Sequence, residues 1–85
     1  MRVVLPVLLL AFAFNLSAQD IDAIKKKLAA NDFAAAKAEA TKLTEANPKN
    51  KAALLLRAEA RIGLQDFYGA ISDLTFLLEI DSTHT

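Results

Sequence analysis

The sequence predicts an all-α protein: two antiparallel helix-turn-helix hairpins preceded by a signal peptide. Three observations predict it. The stretch from Asn31 to Asp81 nearly repeats itself at one constant offset, so that Asp32 meets Asp66, Phe33 meets Phe67, Ala36 meets Ala70, Leu43 meets Leu77 and Glu45 meets Glu79. A period of about 34 residues in a helical sequence marks stacked helical hairpins. Apolar residues recur at helical spacing, with no strand-like alternation and no glycine-rich loop. The connections are short, which makes consecutive helices antiparallel neighbours.

The first segment reads as an address rather than as part of the fold. Arg2 supplies a positive charge, Val3 to Phe14 is apolar throughout, and Asn15-Leu16-Ser17-Ala18 turns polar and small before Gln19. This is the pattern of a secretory signal peptide over residues 1–18, with cleavage after Ala18. The rival readings are an uncleaved membrane anchor and a buried helix. Against the anchor, an apolar run of this length rises only about 18 Å as a helix, whereas the bilayer core is about 30 Å thick. No cysteine follows the run, which excludes a bacterial lipoprotein anchor. The Ser-Ala-Gln ending resembles bacterial export signals and implies an exported chain, periplasmic or secreted.

The first helix is expected from about Ile21 to Ala30. Asp20 is a candidate N-cap, Asp22 sits in the first turn, and Lys25, Lys26 and Lys27 lie toward the C-terminal end, which suits the helix dipole. Ile21, Ile24 and Leu28 form an apolar stripe, and the three lysines read as a solvated face. Asn31-Asp32 marks a turn and cap. The second helix, about Phe33 to Ala46, is rich in alanine, the strongest helix former. It ends at Asn47-Pro48-Lys49-Asn50, because proline turns Asn47 away from helical angles and cannot continue the ladder. Residues 19–50 thus form the first hairpin.

The second hairpin and a polar tail fill residues 51–85. Its first helix, about Lys51 to Leu64, carries Leu54, Leu55, Ala58 and Ile62 on its expected buried side, with Arg57 and Arg61 on another face. Gln65-Asp66 makes the turn, with Asp66 as N-cap. The last helix, about Phe67 to Ile80, shows Ala70, Ile71, Leu74, Leu77 and Leu78 at i, i+3, i+4, i+7, i+8 spacing. Asp81-Ser82-Thr83-His84-Thr85 is the polar tail.

Composition narrows the function. Ten basic and ten acidic residues balance, and without Arg2 nine basic residues face the ten acidic ones. That argues against nucleic-acid binding through a positive field. There is no cysteine, hence no disulfide framework and no cysteine-based zinc site. His84 is the lone histidine and stands in the tail, and the sequence carries no nucleophile-base pair, histidine pair or P-loop. The reading is a non-enzyme with no cofactor, no metal and no small-molecule substrate. Arg57 and Arg61 admit two roles: capture of an anion or carboxylate, or pairing with acids such as Asp73 on the facing helix.

These residues resemble the tetratricopeptide repeat (TPR) family. In the second unit Ala58 matches the small residue of the family's first helix, and Asp66 and Phe67 its turn acid and following aromatic. Ala70 matches the small residue of the second helix, Leu74 the large one four later, and Glu79-Ile80-Asp81 the repeat ending. In the first unit Asp32, Phe33, Ala36, Glu45 and Pro48 match the same places. The chain departs from the family at Leu54, where an aromatic is usual, at Arg57, where leucine is commoner, at Ala40, at Leu43 and Leu77, and at Ser82, which replaces proline. Ile24 stands where the first helix of the first unit would carry a small residue.

The resemblance implies an α-solenoid whose first helices line a concave groove for a protein or peptide. Carried over, the candidate groove is Ile21, Lys25 and Leu28 from the first unit with Leu55, Glu59 and Ile62 from the second. A mixed apolar and charged groove suits an extended or helical peptide. One subclass clamps a terminal carboxylate with lysine and asparagine, but Ile21 and Leu56 stand where it needs polar residues, so chaperone-tail binding is not expected. The competing reading is that these apolar residues pack against a neighbour. Repeat stacks generally need three or more units and a polar cap, whereas two units are legible here. Phe76, Leu77, Leu78 and Ile80 also offer more apolar surface than one neighbour covers. Three readings stay open: further TPR units beyond this stretch, self-association or a partner that completes the core, and a marginal free-standing pair.

Overall fold

The computed structural model describes residues 19–82. The described residues form four helices, with no strand among them. Helix α1 covers 19–29, α2 is Phe33–Ala46, α3 is Lys51–Gly63 and α4 is Phe67–Ser82. The proposed signal segment lies outside the described residues. Among those residues no helix is long and apolar enough to cross a membrane.

Each hairpin turns on the same backbone device. In the first, Asn31 donates to the Leu28 carbonyl at 3.0 Å and Asp32 donates to Lys27 at 2.8 Å. In the second, Gln65 donates to Ile62 at 2.9 Å and Asp66 to Arg61 at 2.8 Å. These paired bonds are a Schellman closure, which satisfies the last carbonyls of a helix and needs a left-handed residue at its centre. Asn31 and Gln65 supply it, at φ 61° and 65°. The geometry therefore repeats with the period of the sequence.

The caps differ between the hairpins. Asp66 Oδ1 accepts from the Gly69 amide at 3.1 Å and caps α4, as expected. Asp32 stands at the equivalent place before α2 but makes no side-chain cap bond. Asp20 is not a cap, because Gln19 and Asp20 are already helical. Between the hairpins, Asn47 folds the loop by accepting from the Lys49 amide, and Asn50 caps α3 by accepting from Ala53 at 3.1 Å. The last helix runs past Ile80 into the expected polar tail. Asp81 there pairs with Lys51 at the start of α3, an exposed contact of small energetic weight.

The core joins α1, α2 and α3. Ile24, Ala36, Ala40, Leu56 and Ala60 form one buried cluster, with Ile21, Leu28 and Leu43 packed against it. The alanines on the facing sides keep these axes close, and Ile24 is the largest fully buried side chain. The α2–α3 contact is just as close at its end: the Phe33 ring lies over Gly63, where an added Cβ would collide with it. Phe33 begins α2 and Gly63 ends α3, so the two helices run antiparallel.

Helix α3 corrects one expectation. Leu54 and Ala58 are buried, but Leu55 and Ile62 are 45% and 48% exposed, and Ala53, Leu56 and Ala60 are buried instead. The reason is that α3 lies between α2 on one side and α4 on the other. It buries most of its circumference and leaves a single stripe to solvent.

Candidate functional site

That stripe is Ala52, Leu55, Glu59 and Ile62, all exposed. Its last three members stand at i, i+4 and i+7, so they share one face of α3. Ile21, Lys25 and Leu28 occupy the equivalent positions of α1, one repeat earlier. Lys25 is exposed, as is its neighbour Lys26. Ile21 and Leu28 are only partly exposed, since both also pack on the Ile24 core. The six residues thus divide into an open apolar pair on α3, a half-sunken apolar pair on α1, and one charge of each sign.

On the far side of α3 from this stripe lies a buried ionic cluster. Asp73 of α4 is 3% exposed and binds two arginines of α3. Arg57 grips it with both arms, Nε donating to Oδ2 at 3.0 Å and Nη2 to Oδ1 at 2.7 Å. The third donor of Arg57, Nη1, reaches back to α2 and bonds the buried Thr44 hydroxyl at 2.9 Å. Thr44 in turn donates to the Thr41 carbonyl. Arg61 Nη1 donates to Asp73 Oδ2 at 2.9 Å and to the Gly69 carbonyl at 3.2 Å. Arg61 Nε is buried without a hydrogen bond, with Asp66 Oδ2 at 3.7 Å.

This geometry decides between the two roles of the arginines. Both guanidinium groups are committed to internal acceptors, so they are pairing residues rather than an anion trap. The two-armed grip fixes direction as well as distance. With its bond to Thr44, Arg57 ties α2, α3 and α4 together through one guanidinium and sets the rotation of α3. That rotation is what turns Leu55, Glu59 and Ile62 outward. Asp73 was legible as a partner from the sequence; Thr44 carried no signal there, because its role depends on a contact between distant segments.

Helix α4 has a second exposed apolar surface. Ala70 and Asp73 are buried against α3, whereas Phe67, Tyr68, Ile71 and Leu78 are 56%, 89%, 59% and 69% exposed. The regular apolar spacing of α4 therefore spans two faces, of which α3 covers one.

Among the described residues no group of three or more His, Asp or Glu is placed to hold a metal ion. No family model, curated protein or solved structure matches the chain.

Proposed function

We propose that the chain is a protein- or peptide-binding module of an exported protein, with two TPR-like hairpins that take a segment of the partner across α1 and α3. The observation that carries this reading is the outward stripe Leu55, Glu59 and Ile62, aligned by the repeat with Ile21, Lys25 and Leu28. Exposed apolar side chains held on rigid helices around opposite charges suit a peptide that supplies both apolar anchors and polar ends. The same period recurs in the sequence and in the turn geometry, which supports the repeat assignment. The Arg2 to Ala18 segment supports export, to the periplasm or the medium.

The test uses a random peptide library displayed on phage. Selection against the unaltered chain is expected to enrich a related set of peptides. Leu55→Asp with Ile62→Asp should weaken those peptides at least tenfold while the circular dichroism spectrum stays helical. If nothing is enriched, or if the enriched peptides bind the double variant equally well, the groove reading fails.

A further inference from the structure

The exposed face of α4 has an internal counterpart whose covering is visible. Phe67, Ile71, Leu74 and Leu78 stand one repeat after Phe33, Lys37, Ala40 and Thr44. On α2 that line faces α3: Phe33 lies over Gly63, Ala40 is buried, and Thr44 accepts from Arg57. On α4 the same line is largely open. Its chemistry has also changed. Lysine, alanine and threonine have become isoleucine, leucine and leucine, so a helix carrying an arginine like Arg57 would find Leu78 in place of the Thr44 hydroxyl. The line is built for an apolar occupant.

We infer that this occupant is α4 of a second copy of the chain. Phe67, Ile71, Leu74 and Leu78 are spaced four, three and four apart, the seam along which two helices interdigitate. Beside the seam stand Tyr68 and Thr75, both uncharged, and the single charge between Phe67 and Leu78 is Asp73, which is buried against Arg57 and Arg61. Nothing along the seam repels its own image. Head-to-tail stacking is disfavoured, because it would set α1 on α4 as α3 sits on α2. Gln19, Asp22 and Lys26, at the places equivalent to the buried Ala53, Leu56 and Ala60, would then be covered by α4. Desolvating Gln19 and the Asp22 and Lys26 charges against an apolar face is costly even though the two charges stand one turn apart, which favours a contact that closes as a two-fold pair. The four most exposed apolar side chains of α4 offer at most roughly 500 Å² per copy, Tyr68 at the edge of the seam included, so that complete burial gives about 1,000 Å² in total, the size of a weak, reversible pair. The pairing is independent of the peptide groove, which lies on other helices.

Sedimentation equilibrium on the full chain, as recovered from expressing cells with its N-terminus read by mass spectrometry, tests this. The mass is expected to rise toward two copies between about 1 and 100 μM. Ile71→Arg with Leu78→Arg should return it to one copy with helicity retained. A second measurement stands apart from that variant. The chain has no cysteine, so Thr75→Cys can be joined by a short bis-maleimide only between copies. It should cross-link, and Lys42→Cys on the outside of α2 should not. Four outcomes overturn the proposal: one copy at every concentration, an open-ended series of masses, a dimer that survives the double variant, or equal cross-linking at both cysteines. A single-copy chain that captures a different protein through Ile71 and Leu78 assigns the face to that protein and overturns it too.

Discussion

Asn31 and Gln65 hold the same left-handed backbone at equivalent places of the two hairpins, at φ 61° and 65°, and each closes its helix with the same pair of hydrogen bonds. The two residues do not bear this equally. Asparagine tolerates the left-handed region because its short polar side chain bonds locally, whereas glutamine has no such help. Gln65→Gly is therefore expected to stabilise the protein by about 1 kcal/mol, and Asn31→Gly by less. Urea titration of both variants checks the order. A Gln65→Gly midpoint at or below that of the parent would show that the turn is held by something other than its backbone.

Removing the shared acceptor of the ionic cluster should cost far more than any surface change. Asp73→Asn leaves two largely buried guanidinium groups without their counter-charge. The expected loss is about 3–5 kcal/mol, the range for breaking a buried pair from one side. Replacing Asp73, Arg57 and Arg61 together by apolar residues of similar size should recover much of it, since no buried charge then remains unpaired. Equilibrium unfolding of the single and triple variants distinguishes the two. Equal losses would mean that the cluster stabilises through its geometry rather than by neutralising the two arginines.

Ile24 tests whether α1 belongs to the folded unit. Its side chain is fully buried between Ala36, Ala40, Leu56 and Ala60. Ile24→Ala should cost about 3 kcal/mol through lost transfer and the cavity left behind. Lys26→Ala, on the exposed side of the same helix, should stay within about 0.5 kcal/mol. Comparable small effects at both positions would detach α1 from the core.

The turns and the burial of the helices were not equally legible in the sequence. Asp32-Phe33 and Asp66-Phe67 announce the hairpin turns because caps and breakers act within a few residues of themselves. Which side of α3 is buried could not be read in the same way. Ala52 to Leu56 is apolar without interruption and is followed by Ala58, Ala60 and Ile62, so periodicity does not choose between Leu55 and Leu56. Leu56 is buried by packing with Ile24 and Ala36, and Leu55 is turned out by Arg57 gripping Asp73. Both are contacts between segments far apart in the chain. The stripe of the candidate site was legible from the family resemblance, which places the first helices of the units on one face, and the internal repeat aligns its Leu55 and Ile62 with Ile21 and Leu28.

The contact between Phe33 and Gly63 yields a prediction about packing and about the open face together. Gly63→Ala places a methyl into the Phe33 ring and should cost about 1–3 kcal/mol, as overpacking does. Phe33→Leu should relieve part of that cost, so the pair will couple in a double-mutant cycle. Phe67 is the same residue one repeat later, but it is 56% exposed. In a single copy Phe67→Ala should therefore cost well under the ~2 kcal/mol expected for the half-buried Phe33→Ala. Chemical unfolding at two protein concentrations a hundredfold apart compares them. The Phe33→Ala loss should be the same at both, since its partner Gly63 is in the same chain. The Phe67→Ala loss should grow with concentration, because at higher concentration the residue it would lose contact with belongs to a second copy. A Phe67→Ala loss as large as that of Phe33→Ala at the lower concentration would mean that Phe67 is already covered within one chain.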